Sequence, residues 1–231
     1  TVPEMDSPEH YMKIIDRSGF FEVTTFSEDD RKRNEMHREN AQRASLQASF
    51  ADYEDYLKSL EMEAVIRGFE PVLYDRITQL TNKSNQFNLT TRRYTQTEIE
   101  EAAADERVID LYGRLEDKFG DNGVVTVVIG RQEGDTVHIL LWLMSCRVLK
   151  RGMEQAMMDE LVRICRGRGV NRIVGYYYPT AKNAMVKEFY RQMEFEKTEE
   201  DAQGNTVWQL CPEAYVYQNN VIKVVSEDDK R

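Results

Sequence analysis

Cys146, Arg147, Lys150, Arg151 and Gly152 stand within seven consecutive positions, a combination that places a possible nucleophile beside an anion-binding turn. An apolar run at 139–144 ends at Ser145 and Cys146. A basic turn at 147–151 then leads through Gly152 into a stretch whose Met153, Met157, Leu161 and Ile164 share one helical face. The first N–H groups of a helix lack backbone partners and carry partial positive charge, so a pyrophosphate or phosphodiester is expected there, with Lys150 and Arg151 beside it. A thiol in that setting is expected to have its thiolate favoured by Arg147, Lys150 and Arg151. The plainer reading is a cysteine that only packs.

A second apolar strand at 172–178 precedes Asn183-Ala-Met-Val-Lys-Glu-Phe-Tyr190, which opens another helix. Asn183, Tyr190 seven residues on and Phe195 five later resemble the second half of the GNAT acyltransferase signature. The resemblance implies an α/β fold that binds CoA or acetyl-CoA between two splayed strands. It assigns the pyrophosphate to Arg147, Lys150, Arg151 and Gly152, adds Asn183 to the cofactor-binding set, and makes Tyr190 the general acid toward the departing thiolate; otherwise Tyr190 only packs. The glycine turn departs from the family pattern: with Gly152 as its first glycine, Glu154 stands at the second. A carboxylate in the first helical turn favours the helix dipole, but against a phosphate ~5 Å away at an effective dielectric of ~20 it costs roughly 3 kcal/mol. Free CoA is therefore expected to bind less well than the singly charged phosphodiester of a carrier-borne phosphopantetheine.

Two longer phrases, at 79–94 (QLTNKSNQFNLTTRRY) and at 145–148 (SCRV), resemble the C-terminal portion of FkbH-like proteins, the HAD-superfamily phosphatases of subfamily IIIC. The resemblance covers nearly the whole chain. It implies an upstream HAD phosphatase domain, an acyl carrier protein as partner, and a small glyceryl-type acyl group. No D-x-D-x-T/V motif occurs in the chain, so no phosphatase activity is expected of these residues. The resemblance leaves three functions open: acyl transfer on a carrier thiol, acetyl-CoA-dependent N-acetylation, and carrier docking without chemistry. In it the 81–91 run borders the substrate pocket, with Asn85, Asn88 and Arg92 facing it; the same asparagines can instead close turns through backbone bonds.

These residues need a sheet to hold them. Strands are expected at 61–67, 108–115, 124–130, 136–144, 173–178, around 195 and at 207–210, with hairpin turns at Asp121-Asn-Gly and Glu133-Gly-Asp. Helices are expected at 72–82, from Thr97 onward, from Met153 and from Asn183. The expected class is a GNAT-like mixed, mostly antiparallel sheet of about seven strands with about four flanking helices. A helical extension at 1–60 precedes a domain at 61–212, and 213–231 forms a tail. Within the extension, Tyr11, Ile14 and Ile15 suggest a short helix, 20–26 an extended stretch and Ser27 a cap; 226–231 is expected to be disordered.

The chain has 231 residues and a formal charge of −10, which argues against nucleic acid and anionic membranes as partners. Three cysteines without metal-ligand spacing suit a reducing cytoplasm and no bound metal. No apolar run approaches the ~20 residues of a membrane span, and no signal peptide is recognised. His138, inside an apolar strand, is expected to be a satisfied core residue.

Overall fold

The structure, a computed structural model, describes residues 28–225 and, in isolation, Ser7 and Tyr11. The helical pattern around Ile14 and Ile15, the extended stretch at 20–26, the Ser27 cap and the 226–231 terminus lie outside the described residues. Two compact units divide the chain, 1–45 and 46–231. Helix α1 (Glu28–Gln47) begins in the first and is largely charged; within it Arg43 pairs with Glu39 at 3.3 Å.

The second unit starts earlier than the expected boundary at 60. Helix α2 (Tyr53–Ser59) is capped by Asp52, whose carboxylate accepts from Glu54 N at 2.8 Å and Asp55 N at 3.0 Å, and it buries Tyr56 and Leu57 in the main core. Among the described residues nine strands make one sheet: β1 (Met62–Arg67), β2 (Phe87–Asn88), β3 (Val108–Asp117), β4 (Gly120–Glu133), β5 (Thr136–Met144), β6 (Arg172–Tyr177), β7 (Glu196–Glu200), β8 (Thr206–Leu210) and β9 (Ile222–Val224). Their order is β7-β8-β6-β5-β4-β3-β1-β9, with β2 against β5. The β5–β6 and β1–β9 pairs are parallel, and the rest are antiparallel. A parallel pair needs a crossover, supplied by α5 (Met153–Gly167).

Side-chain alternation along the strands feeds a core on each face. Val127, Ile129, Leu141 and Leu143 meet Ile77 and Leu80 of α3 (Tyr74–Lys83) and Ile99 of α4 (Gln96–Ala104). Val125, Val128, Ile139 and Trp142 point the other way, to Met157 and Leu161 of α5 and Leu57 of α2. Among the described residues no helix is long and apolar enough to cross a membrane.

Two expectations need correcting. The β3–β4 hairpin turns at Lys118-Phe119, with Asp117 opposite Gly120, and Asp121-Asn-Gly lies inside β4. The Asp117 carboxylate closes the turn by accepting from Phe119 N at 2.9 Å, whereas Asp121 and Gly123 form an irregularity in the ladder, with Gly123 at φ 67. Residues 213–225 are not a tail. Asp159 of α5 accepts from Tyr215 Oη at 2.8 Å, Gln218 N at 3.0 Å and Asn219 N at 2.9 Å, and the segment ends as β9 on the edge of β1.

Candidate functional site

The sheet opens where β5 and β6 part. Their parallel pairing runs from Thr136 opposite Arg172 to Ile139 opposite Gly175 and stops, although β5 continues to Met144. The opening is filled by the chain itself. Strand β2 pairs with the last residues of β5, Phe87 opposite Met144 and Asn88 opposite Leu143. Leu89 N donates to the Trp142 carbonyl at 3.1 Å, and on the far side Tyr178 N donates to the Leu89 carbonyl at 2.9 Å. An extended ligand seeking the same edge of β5 would find its hydrogen bonds already made.

Asn183 locks this insertion. It is fully buried; its Nδ2 donates to the Asn88 and Tyr178 carbonyls, both at 2.9 Å, and its Oδ1 accepts from Thr180 N at 2.7 Å and Thr180 Oγ1 at 3.1 Å. Asn88 is also buried and turns inward, its Oδ1 accepting from Thr91 N at 2.9 Å. These amides hold backbone and face no cavity. Arg92 lies elsewhere, its guanidinium carbon 4.5 Å from the centre of the Tyr94 ring.

On one side of β2 lies a basic cavity of about 710 Å³. Arg76 and Lys83 come from α3, Arg147 from the single turn after β5, and Lys182 from the loop after β6; Asn85, Ser145 and the exposed Cys146 are on its lining too, and among the described residues no acidic one lines it. Burial, and then repulsion by Arg147, holds the Arg76 guanidinium below its ordinary value of 12.5. Four cations on one lining, in a chain of charge −10, form a field that favours an anion. Sequence reading found Cys146, Arg147 and Asn85 but missed Arg76, Lys83 and Lys182, which share no local motif; the basic residue directly before Asn183 was the one signal available.

On the other side lies a mixed cavity of about 460 Å³. Phe189, Met185, Val186 and Met193 give it an apolar wall, and Lys150, Gly152 and Glu154 form its opposite rim. Lys150 and Gly152 have φ of 63 and 89, so the turn curls its N–H groups inward. Glu154 takes them. Its Oε1 accepts from Lys150 N at 2.9 Å, its Oε2 has no hydrogen-bond partner, and it is 8% exposed. Burial raises its pKa, while the N–H groups of Lys150, Glu154 and Gly152 oppose that rise. Arg151 is engaged too, with Nη1 3.3 Å from a fully buried oxygen-bearing side chain, that of Asp117. A pyrophosphate does not fit a turn whose N–H group and guanidinium already have carboxylate partners.

Tyr190 lines neither cavity. Helix α6 (Phe189–Gln192) is a single turn, and the Tyr190 ring packs on Gly175, where a Cβ would come within 2.3 Å of it. The side chain is 1% exposed, its hydroxyl has no side-chain partner, and burial pushes its pKa up, opposed only by the Tyr176 backbone. A proton donor needs contact with the reacting atoms, and this hydroxyl lies in the core. His138 bonds through Nδ1 to Tyr176 Oη at 2.7 Å. Cys165 is buried, which pushes its thiol up to about 12.

No protein-family model matches the chain, and no curated protein matches it. Solved structures do. Spermidine N-acetyltransferase from Vibrio cholerae, in complex with CoA and spermine, is 12% identical with a TM-score of 0.50, over 66% of this chain and 98% of that one. PaiA N-acetyltransferase from Thermoplasma acidophilum, in complex with coenzyme A, is 11% identical with a TM-score of 0.50, over 64% and 99%. A domain from Methanocaldococcus jannaschii is 12% identical with a TM-score of 0.51, over 65% and 99%. The chain therefore has a GNAT-like fold. At such identities the likeness carries the fold and not the reaction.

Proposed function

We propose that this chain is the GNAT-like portion of an FkbH-like enzyme. It takes a small acyl group of glyceryl type from a phosphorylated, anionic donor, holds it as a thioester on Cys146 and passes it to the phosphopantetheine thiol of an acyl carrier protein. The observation that carries this reading is the position of Cys146 at the rim of a cavity whose described lining residues include four cationic side chains and no acidic one. In the first step the Cys146 sulfur attacks the acyl carbonyl of the donor, the bond to the donor's leaving group breaks, and the thiol proton passes to solvent. In the second, the carrier thiol attacks the carbonyl of the Cys146 thioester, the bond to the Cys146 sulfur breaks, and the departing cysteine takes up the proton that the carrier thiol loses. Exchange between thioesters is nearly isoenergetic, so Cys146 can hold the group reversibly.

An upstream HAD phosphatase domain is the partner this reading requires for any dephosphorylation. Acetyl-CoA-dependent N-acetylation is the weaker alternative, because β2 takes the edge of β5 and Glu154 takes the turn. The same insertion favours the third possibility, a carrier-docking module without chemistry, which one experiment separates from the first. The complete enzyme is incubated with its acyl donor and carrier and analysed by intact mass spectrometry. A hydroxylamine-labile adduct on Cys146, lost in Cys146→Ala together with carrier loading, is the expected result; full loading by Cys146→Ala overturns it.

A further inference from the structure

A third cavity, of about 360 Å³, shares no lining residue with the two beside β2. Its volume falls within the range of small-molecule sites, ~300–1,000 Å³. Val108 of β3, Ile129 of β4 and Leu140 of β5 give it apolar lining, while its charged residues come in both signs, Arg92 and Arg131 with Glu98, Glu101 and Asp105. Several of these are already engaged. Asp105 accepts from Arg107 Nε at 3.0 Å and Nη2 at 2.9 Å and lies 3.6 Å from Arg131 Nη2. Glu98 closes the cap of α4, accepting from Thr95 N at 2.8 Å and Thr95 Oγ1 at 3.0 Å. Arg92 and Glu101 are left over: among the described residues neither side chain makes a hydrogen bond or an ion pair, and the Arg92 guanidinium rests on the Tyr94 ring.

Tyr94 is the feature that points to a ligand. It is 5% exposed, and its hydroxyl has no hydrogen-bond partner. Burial raises the phenol above its ordinary 10.0, and the charges that act on it next are those of Arg92, Glu98 and Arg131, all on this lining. The hydroxyl is therefore near the charged walls, and a buried hydroxyl left unpaired costs stability that a ligand can return. One cation, one carboxylate and one hydroxyl thus stand unmatched beside an apolar lining. A simple anion would meet three carboxylates there, and a simple cation two guanidiniums. We propose that this cavity is a binding site for a free α-amino acid with an apolar side chain, its carboxylate at Arg92, its ammonium at Glu101 and its hydrocarbon on Val108, Ile129 and Leu140. Either charged group of such a ligand can bond to the Tyr94 hydroxyl, which donates and accepts. The site does not rest on the Cys146 reading and stands or falls without it.

The probe is L-leucine, titrated into the full chain by calorimetry beside three relatives that each lack one part: L-leucinamide without the carboxylate, 4-methylpentanoate without the ammonium, and glycine without the hydrocarbon. Leucine is expected to bind saturably with a Kd on the order of 1 mM or tighter, and each relative at least about tenfold more weakly. Arg92→Met and Glu101→Gln are each expected to weaken leucine by about tenfold, and Tyr94→Phe by about threefold. Arg92 and Glu101 are exposed, so neither substitution should disturb the fold, which circular dichroism checks. Arg147→Met, on the basic cavity, is expected to leave leucine binding as it is. No saturable heat with leucine, equal affinity for leucinamide or 4-methylpentanoate, or indifference to both Arg92→Met and Glu101→Gln overturns the proposal. A loss of leucine binding in Arg147→Met also overturns it, because the ligand would then sit in the other cavity.

Discussion

Asn183 Nδ2 donates to the carbonyl oxygen of Asn88 at 2.9 Å across 95 positions of sequence, and that bond keeps β2 between β5 and β6. Asn183→Ala would strand the buried Asn88 carbonyl and leave the partly buried Tyr178 carbonyl and Thr180 N–H without this partner. The expected loss is roughly 2–4 kcal/mol in urea unfolding. Hydrogen exchange at Leu89, measured under native conditions, is expected to accelerate more than exchange along β3 and β4. Uniform acceleration throughout the sheet would mean that the asparagine has no local role.

Glu154 should leave a mark on the pH dependence of stability. Its folded pKa is raised above the ordinary 4.5 by burial, so on raising the pH the unfolded chain gives up this proton first. Stability contributed by the protonated form is complete below about 4.5 and is lost as the pH climbs through the folded value. Glu154→Gln lacks this loss and keeps an acceptor for Lys150 N. The variant is expected to gain on the wild type progressively above pH 4.5 in urea titrations. Parallel curves for the two proteins would refute the argument.

Replacing Tyr190 by Phe removes a buried hydroxyl whose one neighbour is the Tyr176 backbone, too poorly placed for a full hydrogen bond. Stability is expected to stay within ~0.5 kcal/mol or to rise, and the pH profile of any acyl transfer should not move. Gly175→Ala is expected to cost about 1–3 kcal/mol, because its Cβ would have to displace the Tyr190 ring. A Tyr190→Phe variant that folds normally yet loses transfer activity would restore the tyrosine to the chemistry.

The basic cavity predicts a divergence between stability and ligand affinity. Arg76→Met removes a guanidinium that is partly desolvated and repelled by Arg147, so the fold is expected to be unchanged or slightly more stable. Arg147→Met and Arg76→Met are each expected to weaken inorganic phosphate binding by about tenfold at low salt, with the effect shrinking as salt rises. Calorimetric titration at two ionic strengths checks this, and phosphate affinity indifferent to both substitutions would remove the anion from the cavity.

The parts of the fold written in local pattern were legible in sequence. Met153, Met157 and Leu161 recur at helical spacing and lie buried along α5, and β5 follows its apolar run from 136 to 144. The β3–β4 turn was misplaced because Asp121-Asn-Gly has the composition of a turn, while the actual one is Lys118-Phe119, closed by the side chain of Asp117. Strand β2 could not be read at all. Two residues in an Asn-rich run become a strand only because the opening beside β5 accepts them. Spacing placed Tyr190 in a helix but said nothing of Gly175, whose missing side chain lets the ring sink into the core. The cations fail for a related reason, since Arg76 and Lys182 meet only after the sheet is assembled.

The pairing of β9 with β1 also sets an order of events during synthesis. Lys223 reaches Glu63 at 2.9 Å across 160 positions, so the first strand of the sheet waits for nearly the last described residues before its outer edge is covered. Until then β1 offers unpaired backbone groups to any neighbouring chain, and closing so long a loop is slow. A nascent or truncated chain ending at Val221 is therefore expected to self-associate through β1, even though every residue that lines the two cavities beside β2 has already been made.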